Sequence, residues 1–359
     1  MILTMKAPGR IVLFGEHQDY LGLPVIPAAV NLFMTITGGK TNSSQYHIEL
    51  PDIQDTQSFL ATNTSYKFPR DYLRSGVKVL LENEIIPNDQ GVSARITSNI
   101  PMQAGLSSSS ALCVIWISFL AELFDNPLSQ MEITRFAHQA EVLEFNEPGG
   151  MQDHMVISHG YVNYEEFDPI RCTRLLTELP GIVVGNSLEK KDTLNTLATI
   201  KNGVRKGLEY LQASKVRELT IDDVKELIPI EGQLDEFSLN ALKAAVINFE
   251  LTREAHLEFK KSTWDEEYIG TLMNRHHASL RDHLNVSTSK IEVMIKAAME
   301  AGALGCKITG SGNGGCMIAL CPGHEEEVSR SIQRKGAKVH IVKVVSGVSR
   351  VNEKIVESK

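Results

Sequence analysis

The run Pro101-Met-Gln-Ala-Gly105-Leu-Ser107-Ser-Ser-Ser110 opens directly into the apolar stretch Ala111-Leu-Cys-Val-Ile-Trp-Ile. Small residues let backbone N–H groups come close to a ligand. A helix that begins there adds unpaired donors and the positive end of its dipole. Phosphate binding is the chemistry these features suit. The loop lacks the Gly-Lys-Ser/Thr ending of a Walker A sequence, which argues against an ordinary P-loop nucleotidase. Serine is also a good helix N-cap, and the two roles are compatible.

Phosphoryl transfer needs more than a cradle. It needs a divalent ion, a group that orients or deprotonates the nucleophile, and positive charge on the moving phosphoryl. Asp153 follows the turn Pro148-Gly149-Gly150, where a carboxylate can be aimed into a cleft or simply cap a turn. Glu141 lies twelve residues earlier on a predicted helix, and taken alone reads as a solvated helix charge. Arg10 follows Pro8-Gly9 at the start of an apolar run, a usual place for a surface arginine. Glu16-His17-Gln18-Asp19 directly follows that run, and three ionisable side chains in four residues suit a pocket that binds hydroxyls. A third glycine-rich segment, Gly310-Ser-Gly312-Asn-Gly314-Gly315, holds more glycine than a hairpin requires. No His/Cys spacing suggests zinc, and the remaining histidines read as structural or solvent-facing.

The elements that must position these residues follow from periodicity. Residues 2–6, 11–14 and 25–37 read as strands, the first two broken at Pro8-Gly9. Residues 41–66 read as a surface hairpin or loop, 72–82 as a helix and 92–100 as a strand that delivers the chain to the serine run. A second helix is predicted over 128–145 and a strand over 161–167, with apolar density falling at 168–180. Beyond that, 181–184 is a buried strand, and 194–211, 238–260 and 266–283 carry helical spacing. Ser289-Lys-Ile-Glu292 is a capping-box pattern, with Gly302 placed to close its helix. Residues 307–309, 316–320 and 339–345 are the last strands. Strands and helices without strict alternation give an α+β class, divided at about 175/176.

The chain has 359 residues, enough for two well-buried domains, and is 42% hydrophobic and 22% charged. Its formal net charge of -8 argues against an extended nucleic-acid surface. Five cysteines without a CxxC pair point to free thiols and a cytoplasmic setting. No signal peptide is evident, and the longest apolar run is too short to span a bilayer.

Three segments, in order, resemble the GHMP kinases (galactokinase, homoserine, mevalonate and phosphomevalonate kinases). They are Ala7-Pro-Gly-Arg10-Ile-Val-Leu-Phe-Gly15-Glu-His-Gln-Asp-Tyr20, the 101–111 loop, and Lys307-Ile-Thr-Gly-Ser-Gly312-Asn-Gly-Gly-Cys316. Gly-Glu-His-x-Asp-Tyr, the Ala140-Glu141…Asp153 spacing and His277-Ala-Ser-Leu-Arg281-Asp…Val286-Ser287 resemble the galactokinase branch. The resemblance implies a ribosomal protein S5 domain 2-like N-terminal domain over 1–175 and a ferredoxin-like C-terminal domain over 176–359, with the active site between them. It implies an ATP- and Mg²⁺-dependent sugar kinase acting at the anomeric hydroxyl, with no nucleic-acid or membrane partner, as a monomer or homodimer.

Residue by residue, the resemblance makes Asp153 the catalytic carboxylate, steadied by Arg10. It gives Glu16, His17, Asp19 and Gly150 to the sugar. Gly105, Leu106, Ser107, Ser108, Ser109 and Ser110 go to the ATP phosphates, and Ser109 and Glu141 to Mg²⁺. There are departures. Galactokinases usually carry Asn at the positions of Val12 and Leu21, Cys at Gly149, Gln at His154 and Gly at Gln103. Their Tyr-Asn-x-Arg-Arg segment has no match in 185–210. Asn186-Ser187…Lys190-Lys191-Asp192-Thr193 stands there and looks closer to mevalonate kinases. A mevalonate-type kinase and a non-catalytic sugar and ATP sensor are therefore the two alternatives.

Overall fold

The computed structural model describes residues 2–191 and 193–351; Met1, Asp192 and residues 352–359 lie outside them. Strands β1 (Leu3–Phe14) and β2 (Ile26–Lys40) are long antiparallel partners. The expected break at Pro8-Gly9 is a register shift within one continuous strand. A bulge accommodates proline, which has no N–H to give to the ladder. β3 (Gln45–Leu50) and β4 (Asp55–Leu60) form a hairpin within the predicted 41–66 region. β5 (Val92–Ser98) lies between β2 and β3, antiparallel to β2 and parallel to β3. The hairpin of β6 (Val162–Phe167) and β7 (Ile170–Leu176) attaches to β2.

Helices α1 (Tyr72–Glu82), α2 (Ser108–Leu123), α3 (Gln130–His138) and α4 (Gln152–His159) pack with this sheet and with one another. α2 is apolar on nearly every face, so it has to be buried. It lies against β1 and β2. Its Trp116 is fully buried, donates from Nε1 to the Leu73 carbonyl at 2.9 Å and meets Tyr46 edge-on. The helix expected over 128–145 divides in two: α3 is followed by a π turn over Gln139–Leu143.

The second sheet contains β8 (Ile182–Asn186), β9 (Gly305–Thr309), β10 (Cys316–Leu320) and β11 (Lys338–Val342) in the order β11-β8-β10-β9, all antiparallel. Counted within this half the order is fourth, first, third, second, the ferredoxin-like arrangement. Helices α5 (Thr193–Tyr210), α6 (Ile221–Lys225), α7 (Glu236–Phe259), α8 (Glu266–Asp282) and α9 (Ser289–Glu300) fill the first crossover, and α10 (Glu325–Gln333) the second. The capping pattern at Ser289 is displaced by one residue: Thr288 is the N-cap, accepting from the Ile291 N–H. Glu292 instead accepts from Ser287 and His277.

The predicted 339–345 strand ends at Val342. Val344 bridges to Val30 of β2, and β12 (Ser349–Arg350) pairs with β1, so the last described segment returns to the first sheet. All five cysteines are free. Among the described residues no helix is long and apolar enough to cross a membrane.

Trp116→Ala removes the largest buried side chain and orphans the Leu73 carbonyl. Denaturant unfolding is expected to show a loss of about 3–5 kcal/mol; a loss below about 1 kcal/mol would mean the α1–α2 seam does not depend on this ring.

Candidate active site

A cavity of about 460 Å³ opens between the two halves, lined from both. Its centre is a three-way junction. Arg10, near the middle of β1, donates from Nε to Asp153 Oδ1 at 2.7 Å and from Nη2 to Oδ2 at 2.8 Å. Its Nη1 donates to the Gly105 carbonyl at 2.5 Å. Two parallel N–H···O bonds of this kind fix the carboxylate in plane and in position. The Ser107 hydroxyl also donates to Asp153. Burial pushes the Asp153 carboxyl up, but the Arg10 guanidinium and Ser107 outweigh it, and the group is held below the usual carboxylate range. Asp153 is therefore ionised at neutral pH. It stands in the first turn of α4, where the helix dipole adds to the same effect.

Gly105, Ser107, Ser108, Ser109 and Ser110 line the cavity along the start of α2. Ser107 occupies the N-cap position, but its backbone is left-handed (φ 59°) and its side chain makes no capping bond. The donors of the first turn are thereby left to another acceptor. Leu106 is turned away from the cavity. Its side chain is fully buried, its carbonyl accepts from the Arg10 N–H at 3.2 Å, and it does not line the cavity. An apolar side chain in this loop is worth more in the core than at a charged ligand.

At the other end stands Asp19, buried, with the Gln152 N–H donating to it at 3.4 Å. A Cβ on Gly150 would lie 1.9 Å from Asp19 Oδ2, so only glycine fits there. Burial, with the nearby Asp153 charge, raises the Asp19 carboxyl to about 6. His17 lines the same region but is already engaged. Nε2 lies 3.1 Å from the Ser311 carbonyl and Nδ1 3.0 Å from the Tyr20 hydroxyl. Burial lowers it to about 4, so the ring is neutral, with Nε2–H donating to the carbonyl. Glu16 is almost wholly buried and its Oε1 accepts from the Lys307 ammonium, which also donates to the Val12 carbonyl at 3.2 Å and the Ile308 carbonyl at 2.9 Å. Of the residues the sequence offers to a hydroxylated substrate, Asp19 alone has its carboxylate largely uncommitted.

Glu141 comes from the π turn and meets His154 Nε2 at 2.6 Å. Burial raises its carboxyl, but His154, Ser109 and Ser110 outweigh that and hold it below the usual range. Such wide turns recur at functional sites because one extra residue redirects a side chain. No group of three or more His, Cys, Asp or Glu that could hold a metal occurs among the described residues. A divalent ion here would take Glu141, Ser109 and otherwise phosphate or water oxygens, which is how Mg²⁺ is usually held in phosphoryl-transfer sites.

From the second half, Gly310 and Ser311 line the cavity, and the Val12 N–H donates to Thr309 Oγ1 at 2.9 Å. His154 and Lys191 also reach the wall. The sequence reading leaves His154 among scattered histidines; its spacing from Glu141, across a turn and two elements, gives no periodic signal. Lys191 is visible only as part of a basic pair.

With this geometry in place, comparison with known proteins gives a consistent result. Residues 71–161 match the GHMP kinases N terminal domain, 260–338 the GHMP kinases C terminal domain, and 3–40 the galactokinase galactose-binding signature. The mevalonate kinase of Pyrococcus furiosus is 32% identical over 99% of each chain. The galactokinase of Haemophilus influenzae is 26% identical over 92% of this chain and 88% of its own. The crystal structure of Lactococcus lactis galactokinase complexed with galactose superposes with a TM-score of 0.86 at 22% identity, covering 98% of this chain and 95% of that one. The chain belongs to the GHMP kinase family, two-domain phosphotransferases that use ATP and an alcohol acceptor.

Proposed function

We propose that this kinase phosphorylates a neutral monosaccharide at its anomeric hydroxyl. The observation that carries the reading is Asp19, a buried carboxylate facing the cavity beside Gly150 and close to Asp153. A carboxylate there accepts hydrogen bonds from sugar hydroxyls and repels an anionic acceptor. The match of residues 3–40 to a galactose-binding signature supports the same choice. A second reading, mevalonate as acceptor, has the 32% identity to a mevalonate kinase in its favour. Mevalonate would bring its own carboxylate against Asp19.

In the proposed reaction the triphosphate lies along Gly105 and Ser107–Ser110, on the N–H groups that start α2. Mg²⁺, held by Glu141, Ser109 and the phosphates, would neutralise phosphate charge. Asp153 orients the acceptor hydroxyl. Because Arg10 holds it strongly ionised, it is a weak base and takes the proton as the new P–O bond forms, not before. The acceptor oxygen binds the γ-phosphorus, the bond to the bridging oxygen of ADP breaks, and the proton passes to Asp153. Most of the acceleration comes from positioning and charge.

Asp153→Asn keeps the shape of the site and removes the charge. Turnover is expected to fall about 10³-fold, with ADP affinity changing by less than roughly threefold. Turnover retained in that variant would remove Asp153 from the mechanism.

A coupled ADP-release assay over neutral monosaccharides, uronic acids and mevalonate tests the acceptor. A neutral sugar should exceed mevalonate in kcat/KM by about 10³-fold or more. Turnover of mevalonate with no sugar active would establish the second reading in its place.

Asp19 also sets an acid limb. Its carboxyl is raised to about 6, so it is ionised above that pH and protonated below it. The kcat/KM for the sugar should fall as pH drops through about 6, and Asp19→Asn should lower kcat/KM and flatten the limb. An unchanged limb in that variant would assign it to another group.

A further inference from the structure

Among the described residues, the arginine and lysine charges along the cavity wall are paired with one exception. Arg10 lies in its two-bond contact with Asp153, and Arg70 pairs with Glu147 at 2.5 Å. Lys307 sits behind the wall with Glu16. Lys191, half-buried in the wall, makes no ion pair or hydrogen bond with any of the described residues. Its stem threads between glycines of the second half: a Cβ on Gly315 would lie 2.7 Å from Lys191 Cδ. Its head reaches the phosphate loop of the first half. A Cβ on Gly105 would lie 2.6 Å from Nζ, and one on Gly310 3.6 Å from it. An ammonium drawn from water without a counter-charge is costly, and an arriving anion removes that cost. Burial, together with the Arg10 charge, lowers the Lys191 ammonium to about 8, so it is protonated at neutral pH.

We propose that Lys191 is a catalytic residue whose ammonium binds the terminal phosphate of ATP and stabilises the phosphoryl group as it transfers. This rests on the kinase reading above. Arg10 is tied down by Asp153, so Lys191 brings the uncommitted positive charge that phosphoryl transfer requires. It comes from the second half, opposite the serine run. The terminal phosphate is then held between the start of α2 on one side and a cation on the other. Lys191 keeps its proton throughout. The bonds that change are those at phosphorus, and the acceptor's proton goes to Asp153.

The test uses the full chain with Lys191→Met, Lys191→Arg and the neighbouring Lys190→Met, each checked for an unchanged melting temperature. Two readouts are needed. Binding of MgATP and MgADP, measured without acceptor, should show that Lys191→Met weakens ATP by roughly tenfold while ADP stays within about twofold, because only ATP carries the contacted group. Turnover, with whichever acceptor the wild type uses, should fall about 10²–10³-fold in Lys191→Met, recover largely in Lys191→Arg and stay unchanged in Lys190→Met.

A pH profile gives a further readout. The groups facing Lys191 are Arg10 from β1, Glu16 and the neutral His17 from the turn that follows it, Asp153 from α4 and Cys316 from β10. The Cys316 thiol is pushed up by burial to about 12, away from the range concerned. The wild-type kcat/KM for ATP should fall above about pH 8, and Lys191→Arg should move that limb upward. If the wild type turns over no acceptor, the kinase reading fails. If it does, and Lys191→Met matches it within about threefold or loses ATP and ADP affinity equally, Lys191 has no such role and the kinase reading stands.

Discussion

One guanidinium organises this site. Arg10 grips Asp153 with two hydrogen bonds and the Gly105 carbonyl with a third, so β1, the phosphate loop and α4 are fixed to a single planar group. These parts are 95 and 143 residues from Arg10 in the chain. The phosphate loop has no regular structure of its own before α2 begins, and Asp153 stands only one residue inside its helix. Arginine suits this task because its five donors lie in a rigid plane. The same contact sets the chemistry of Asp153: it remains a carboxylate despite burial, at the cost of basicity.

Around that junction the cavity is electrically divided. The end formed by the start of α2 offers N–H groups, hydroxyls and the Lys191 ammonium. The other end offers Asp19, whose carboxyl is raised because it is both desolvated and close to Asp153. An anion suits the first end and a polyol the second. The division depends on the two halves meeting. Glu16 and Lys307, 291 residues apart, form a buried ion pair between them. His276 stacks on Phe14 with its Nε2 3.6 Å from Glu16. Burial and the Lys307 charge keep that imidazole neutral. A buried pair of this kind is weak evidence for stability, but an unmatched partner would be a buried lone charge, so the pair selects one docking of the halves.

Much of the fold is legible in the sequence. α1 and β10 fall where periodicity puts them, and most other elements begin or end within a few residues of expectation, because their apolar positions repeat at 3.6 or 2 residues. The misses have physical causes. β1 runs through Pro8-Gly9 because a bulge absorbs the proline. The helix at 128–145 is interrupted by a π turn, which periodicity does not encode. Thr288 caps α9 in place of Ser289 because Glu292 is drawn to Ser287 and His277. The final strand stops at Val342 because the chain finds partners on β2 of the other half, a choice that depends on tertiary neighbours.

The parts of the site are written locally in the chain: a serine-rich helix start without a Walker lysine, an aspartate after a glycine pair, and an acidic segment after the first strand. Residue type and local spacing are enough for that, because they decide which backbone donors are free and which side chains can be ionised. How those parts are used depends on the packing of the two halves. Tertiary packing turned Leu106 into the core, committed Glu16 to Lys307 and His17 to Ser311, and left Asp19 facing the cavity. It also brought Lys191 to Gly105 and His154 to Glu141. Charge pairing and desolvation act through space between elements far apart in the chain, and no local pattern records them.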